Sequence, residues 1–378
     1  MSAPIPPGLL PHDGRFGSGP SKIRQAQVDA LARAGATGTG VPPLLGTSHR
    51  QAPVRALVGS VRAGLAELLG APECYEIVLG NGGSTAFWDA AAFGLVERRA
   101  QHGVFGEFSS KFAEVTRSAP FLDDPVVVAA PPGSVALPEP TEDVDLYAWP
   151  HNETSTGAMA PVYRPPGTDG ALVVVDATSA AGGVAVDLAQ TDVYYFAPQK
   201  SFASDGGLWV ALMSPAAIER ARRIKDSGRH IPGFLDLPTA IDNSLKDQTY
   251  NTPAIATLVM LDEQVRWLLE QGGLAWADER TRESSGLIHA WVERRPEASF
   301  FVTDPHHRSQ VVTTIDLDPS VDAGEVIATL RTYGIVDIDP YRKLGRNQLR
   351  IATFPAVEPT DVEALLACLD HVLDHAAA

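Results

Sequence analysis

Cysteine is nearly absent: Cys74 and Cys368 are the only two in 378 residues. Two cysteines make no disulfide framework, and alone they cannot complete a structural zinc site, which takes four ligands. Long apolar runs are also missing. The best candidate is cut by Asp176 and Asp187, short of the ~20 residues that span a bilayer. The N-terminus, Met1-Ser-Ala-Pro-Ile-Pro-Pro-Gly8, carries no basic segment ahead of an apolar core, so it does not read as a secretory signal. Positive charge is scarce, with 30 Lys and Arg against 46 Asp and Glu and a net charge of −16. That deficit argues against nucleic acid or an anionic membrane as a partner, since either requires a basic face. An anionic ligand must then be drawn in by local arginines and helix N-termini. The absences predict a cytoplasmic, reduced, soluble protein with no metal site.

The composition that remains, 44% hydrophobic and 20% charged, is that of a globular enzyme. A chain of 378 residues exceeds the size at which one core keeps growing, so two domains are expected. Residues 1–16 are rich in Pro and Gly and read as an arm that packs with the smaller domain. Residues 17–272 read as the large domain and 273–378 as the small one, with the break at Gly272-Gly273. From Glu76 onward, Ile77-Val78-Leu79 and apolar runs at 103–106, 125–130, 145–149, 171–175, 193–197 and 208–213 are separated by helical or loop segments. Continuous rather than alternating apolar runs indicate strands covered on both faces, hence a mostly parallel α/β sheet. A helix is expected over 86–97. Another is expected to open at Thr252-Pro253, with Thr as N-cap and Pro in the first turn. Beyond the glycines the pattern predicts an α+β unit: helix 274–294, strands 299–302 and 309–316, helix 323–333, strands 335–338 and 348–353, and a final amphipathic helix.

Lys200 follows the run Asp192-Val-Tyr-Tyr-Phe-Ala-Pro-Gln-Lys200, and Asp176 closes the earlier run Ala171-Leu-Val-Val-Val-Asp176. In a parallel sheet, ligands sit outside the carboxyl ends of the strands, where both residues fall. An enclosed lysine shifts toward the neutral amine, which attacks carbonyls. Pyridoxal phosphate requires both groups: a lysine for its aldehyde and a carboxylate for its ring nitrogen. Each residue has an ordinary reading as well, Lys200 as a solvated lysine and Asp176 as a turn cap. Gly82-Gly-Ser-Thr85 opens a helix. It serves either as a phosphate cradle of free N–H groups or as a plain start with Ser84 or Thr85 as N-cap. It lacks the Gly-Lys-Ser/Thr of a nucleotide-binding loop and the third glycine of a dinucleotide fingerprint. Arg50 and Arg350 are candidate carboxylate forks or, on the ordinary reading, surface ion pairs. That ordinary reading is weaker for Arg350, inside an apolar strand pattern. Phe108 is a candidate to stack on a flat ring or a plain core residue.

The chain resembles the phosphoserine aminotransferases, in particular their actinobacterial-type branch, within the class-V aminotransferases of fold-type I. The resemblance runs nearly end to end: Phe16-Gly-Ser-Gly-Pro-Ser21, Ser48-His-Arg50, Gly82-Gly-Ser-Thr85, Gly106-Glu-Phe108, His151-Asn-Glu-Thr154, Val175-Asp176, Pro198-Gln-Lys200 and Tyr250-Asn-Thr-Pro253. It implies a large domain with a mostly parallel seven-stranded sheet. It implies that Lys200 bonds covalently to the cofactor aldehyde, that Asp176 pairs with the ring nitrogen and that Phe108, often Trp in relatives, stacks on the ring. Thr154 is implied near the ring hydroxyl, and Ser84, Thr85 and Gln199 mainly at the phosphate. Asn251 and Thr252 are implied to reach that phosphate from the other subunit of a homodimer. Arg50, with His49 beside it, and Arg350 are implied as substrate-binding residues, Arg350 for the α-carboxylate. The implied reaction exchanges L-glutamate and 3-phosphohydroxypyruvate for 2-oxoglutarate and O-phospho-L-serine, in serine and pyridoxine biosynthesis. Two departures stand out. Many relatives place an arginine where Thr85 stands, and a His-Arg pair ahead of the Arg350 position, where this chain reads Tyr341-Arg342-Lys343-Leu-Gly-Arg346. Arg342, Lys343 and Arg346 are therefore all candidates for the substrate phosphate. Another fold-type I aminotransferase, such as the serine–glyoxylate type, is the alternative. A desulfurase is disfavoured because neither cysteine falls on a loop suited to a reactive thiolate. Intact Lys200, Asp176 and Arg350 weigh against a non-catalytic scaffold.

Overall fold

The computed structural model describes residues 4–37 and 42–376; the first three residues of the expected arm and the last two of the chain lie outside the described residues. Strands β1 (Glu76–Asn81), β2 (Ala100–Val104), β3 (Val126–Ala129) and β4 (Leu146–Pro150) come first. A short ribbon follows, β5 (Asn152–Glu153) with β6 (Ala158–Met159), and then β7 (Leu172–Asp176), β8 (Val193–Phe196) and β9 (Leu208–Met213). Among the described residues seven of these form one sheet in the order β1-β9-β8-β7-β4-β2-β3. Only β9 is reversed in it, running antiparallel to β1 and β8. The apolar runs of the sequence thus become a mostly parallel sheet.

The alternation of side chains along a strand explains why those runs are continuous. From β7 and β8, Val173, Val175, Tyr194 and Phe196 enter one buried cluster, while Leu172, Val174, Val193 and Tyr195 enter the other. Helices α2 (Ala52–Leu68) and α7 (Ile255–Gln271) cover the first face through Val58, Val61, Leu65, Leu258 and Val265, and α1 (Gln25–Gly35) packs on α7. The second face is covered by α3 (Gly83–Gly94), α4 (Glu107–Ser118), α5 (Pro215–Asp226) and α6 (Leu237–Ser244), through Phe87, Phe112, Ala217 and Leu237. Each large side chain so enclosed contributes ~1.5–3 kcal/mol. No helix among the described residues is long and apolar enough to cross a membrane.

α7 ends at Gln271, and α8 (Gly273–Arg294) starts the remaining layer. Strands β10 (Ala298–Phe300), β11 (Val312–Leu317) and β12 (Gln348–Ala352) form an antiparallel sheet packed with α8, α9 (Ala323–Arg331) and α10 (Pro359–Ala376). Ile5 and Phe16 are buried in that same cluster, with Trp291, Ile315 and Leu369.

Three expectations are corrected. Segment 335–338 is not a strand of this sheet. Asp337 takes a φ of 64°, which breaks the extended run, and Val336 makes only an isolated bridge to Arg15. The helix expected at Thr252 begins at Ile255. The Thr252 carbonyl instead accepts from Asn81 Nδ2 at 3.3 Å, which ties the segment to the end of β1. The helix expected over 86–97 is α3, which starts three residues earlier; its N-cap is Gly82, so neither Ser84 nor Thr85 caps it. The Gly82 φ of 108° is a left-handed conformation that other residues adopt at a cost, and it lets the chain turn from β1 directly into the helix.

Candidate active site

Lys200, Asp176, Gln199, Thr154, Phe108, Ser84 and Thr85 all line one cavity of about 420 Å³ at the carboxyl ends of the parallel strands. Sheet topology brings them there. Asp176 is the last residue of β7, and Lys200 lies just past its neighbour β8. Across the cavity, the first N–H groups of α3 have no partners within the helix. Phe108 sits in the first turn of α4.

Lys200 is buried, and its Nζ donates to the carbonyl of Ser18 at 2.5 Å. Burial and then the Arg350 charge bring its ammonium down from 10.5 to about 8, against the pull of Asp176 and Glu153. Asp176 is held at both oxygens. Oδ1 accepts from Thr178 N at 2.9 Å and Thr178 Oγ1 at 2.5 Å; Oδ2 accepts from Tyr195 Oη at 3.0 Å and lies 3.3 Å from Trp88 Nε1. Burial pushes this carboxyl up from the usual range, and those hydrogen bonds pull it back. Thr178 Oγ1 also meets Ser84 Oγ at 2.7 Å, linking the carboxylate to the helix N-terminus.

Arg350, on β12, sends Nη1 to the Thr154 carbonyl at 3.2 Å, and its guanidinium lies 5.4 Å from the centre of the Tyr341 ring. Burial lowers its pKa, and its Nε is enclosed without a partner. Of the neighbouring cations, Lys343 is paired with Glu107 and Arg346 with Asp316 (2.7 Å). Arg342 is exposed and has no ion pair among the described residues.

The other expected site residues form a second group, outside the cavity of this chain. His49 Nδ1 meets Thr252 Oγ1 at 3.1 Å, Arg50 Nη1 donates to Gln248 Oε1 at 3.2 Å, and Asn251 is exposed. Burial and then Arg50 lower the His49 pKa. Sequence reasoning assigned no role to Ser18, Trp88, Asn152, Thr178 or Tyr195. Trp88 was within reach, since it stands one helical turn after Ser84 on the same face. Asn152 lies within His151-Asn-Glu-Thr154, and Thr178 follows Asp176 by two residues, a spacing typical of a side chain bonding its own turn. Ser18 lies within Phe16-Gly-Ser-Gly-Pro-Ser21, and Tyr195 gave no local signal.

The cavity suits pyridoxal phosphate. It presents an amine of lowered pKa, a buried carboxylate, a flat aromatic side chain and a helix N-terminus for a phosphate. Asn152 Oδ1 and Gln199 Oε1, on two of its lining residues, are buried without partners, as acceptors awaiting a ligand would be. Sheet and site together define a fold-type I transferase that uses pyridoxal phosphate.

A family model described as aminotransferase class-V matches residues 139–337. A phosphoserine aminotransferase from a Nocardioides species is 61% identical over 373 residues, covering 98% of each chain. One from Rhodococcus opacus is 58% identical, covering 98% of this chain and 97% of its own. Among solved structures, a phosphoserine aminotransferase from Cytophaga hutchinsonii superposes with a TM-score of 0.84, covering 95% of this chain and 99% of its own. At 24% identity it speaks for the fold alone. The chain belongs to the class-V aminotransferase family and is a pyridoxal-phosphate-dependent transaminase.

Proposed function

We propose that the chain is a phosphoserine transaminase, exchanging L-glutamate and 3-phosphohydroxypyruvate reversibly for 2-oxoglutarate and O-phospho-L-serine. The observation that carries this reading is the likeness to proteins of that name over 98% of the chain at 58–61% identity. It implies a cytoplasmic enzyme of serine, and also pyridoxine, biosynthesis.

Bound pyridoxal phosphate supplies an aldehyde that takes up the amino group and a ring that withdraws electrons from the substrate Cα. Lys200 holds the aldehyde. With its pKa lowered to about 8, the amine is neutral near pH 7.5 far more often than an ordinary lysine. The same amine would accept the substrate Cα proton. Asp176 keeps a negative charge at the ring-nitrogen end. Ser84, Thr85 and Gln199 would take the cofactor phosphate, Phe108 would hold the ring and Thr154 its hydroxyl. Arg350, with donors to spare, receives the α-carboxylate. Arg342 is assigned to the substrate phosphate because its basic neighbours are already paired.

Asn251, Thr252, His49 and Arg50 serve the site of a second copy. Exposed Phe234 and Tyr250 line one surface pocket with Asn251, and such apolar exposure supports a homodimer interface there. The experiment is an acceptor panel with glutamate as donor. Turnover should be greatest with 3-phosphohydroxypyruvate; turnover of glyoxylate with L-serine as the donor instead would assign the serine–glyoxylate type.

A further inference from the structure

Tyr195 stands in an unbroken apolar run, and its ring does what such a position predicts. It is wholly buried, stacks on Phe87 with centroids 4.3 Å apart, and meets Phe112 edge-on at 6.2 Å. Its hydroxyl does something a core residue has no need of. Tyr195 is the β8 partner of Asp176 in the β7–β8 ladder. The pairing brings Tyr195 Oη to 3.0 Å from Asp176 Oδ2 and to 2.8 Å from Trp88 Nε1.

The direction of each hydrogen bond follows from the donors available. An indole N–H donates and cannot accept, so Tyr195 Oη accepts from Trp88. The single phenolic proton is then directed to Asp176. Burial keeps the Tyr195 phenol well above the ordinary tyrosine range, so it remains a neutral donor. Oδ1 has its own two donors from Thr178. Tyr195 Oη is the closest donor to the other oxygen, with Trp88 Nε1 farther off at 3.3 Å.

We propose that Tyr195, oriented by Trp88, is a positioning residue of this transaminase: its hydroxyl fixes Asp176 Oδ2 and supports the carboxylate that faces the cofactor's ring nitrogen. The proposal rests on the assignment of Asp176 to that nitrogen, made above. A buried carboxylate short of one donor either rotates toward another or takes up a proton, and each leaves the ring nitrogen less well paired. The effect falls on chemistry rather than on substrate binding, because Tyr195 does not line the cavity.

Tyr195→Phe removes one oxygen and preserves the ring and its stacking. The expected result is a fall in kcat of about tenfold, with KM for both amino donors within about twofold. The absorption maximum of the bound cofactor should shift, and its dissociation constant should rise, while the melting temperature of the cofactor-free protein stays close to that of the parent. Trp88→Phe should lower kcat in the same direction and also shift the spectrum, which provides a second route if Tyr195→Phe does not fold. Asp176→Asn is the control. If Asp176→Asn is inactive while both other variants keep the parental kcat and spectrum, Tyr195 is not a positioning residue. Proportionate loss of kcat and melting temperature with an unshifted spectrum likewise reduces it to packing. If Asp176→Asn is fully active, the fault lies in the assignment of Asp176.

Discussion

Lys200 Nζ donates to the backbone carbonyl of Ser18, a residue 182 positions earlier, so the segment around Ser18 lies directly on the Lys200 amine. Gly19 adjoins it so closely that an added β-carbon would overlap Lys200 Nζ. Ser21 N, bonded to the Gln199 carbonyl at 2.8 Å, pins the other side of the turn.

Gly19→Ala should therefore displace either the segment or the lysine, and the Gly19 φ of 141° adds backbone strain. Overpacking of this kind costs ~1–3 kcal/mol. The expected outcome is weakened cofactor retention and a kcat lowered at least tenfold. Absorbance of the bound cofactor after gel filtration, compared with the parent, checks it.

The lowered pKa of Lys200 predicts how cofactor capture depends on pH. The neutral amine is the attacking form, and its fraction rises as pH approaches about 8 from below. Capture of pyridoxal phosphate by the cofactor-free protein should accelerate ~tenfold per pH unit below that point and flatten above it. Stopped-flow absorbance measures this. A rise continuing to pH 10 would indicate an ordinary, solvated lysine.

Arg342, Lys343 and Arg346 are close in sequence and differ in their contacts, since Lys343 pairs with Glu107 and Arg346 with Asp316. Arg342→Ala should raise KM for O-phospho-L-serine roughly tenfold, as loss of ~1.5 kcal/mol of charge-assisted hydrogen bonding would, and leave KM for glutamate nearly unchanged. Arg346→Ala, which frees Asp316 and uncovers the Phe301 ring, should move neither by more than about twofold. Initial-rate kinetics on both donors separates the two cases.

The exposed apolar residues beside the His49–Thr252 group predict an assembly-dependent site. Phe234→Asp should shift the protein to a smaller species in analytical ultracentrifugation and cost most of its activity, although Phe234 is absent from the cavity lining.

The sheet was legible because its strands are buried on both faces, so Leu172–Asp176 and Val193–Phe196 stand out as uninterrupted apolar runs. Asp176 and Lys200 were legible as polar residues closing those runs. Helix starts were less so. At Thr252 the expected capping signal was overridden by a bond from Asn81, a contact no local pattern encodes. Segment 335–338 looked like a strand until Asp337, whose positive φ the sequence does not announce. Tyr195 was hidden by its own surroundings, since an aromatic residue in an apolar run reads as core. Only the pairing of β7 with β8 discloses that its hydroxyl meets Asp176.

The central claim is that the amine at position 200 carries the cofactor. Reduction of the holoenzyme with borohydride, followed by proteolysis and mass spectrometry, should find the pyridoxyl group on the peptide containing Lys200 and on no other. Recovery of the group on a different lysine, or of no adduct at all from a coloured protein, would contradict the account.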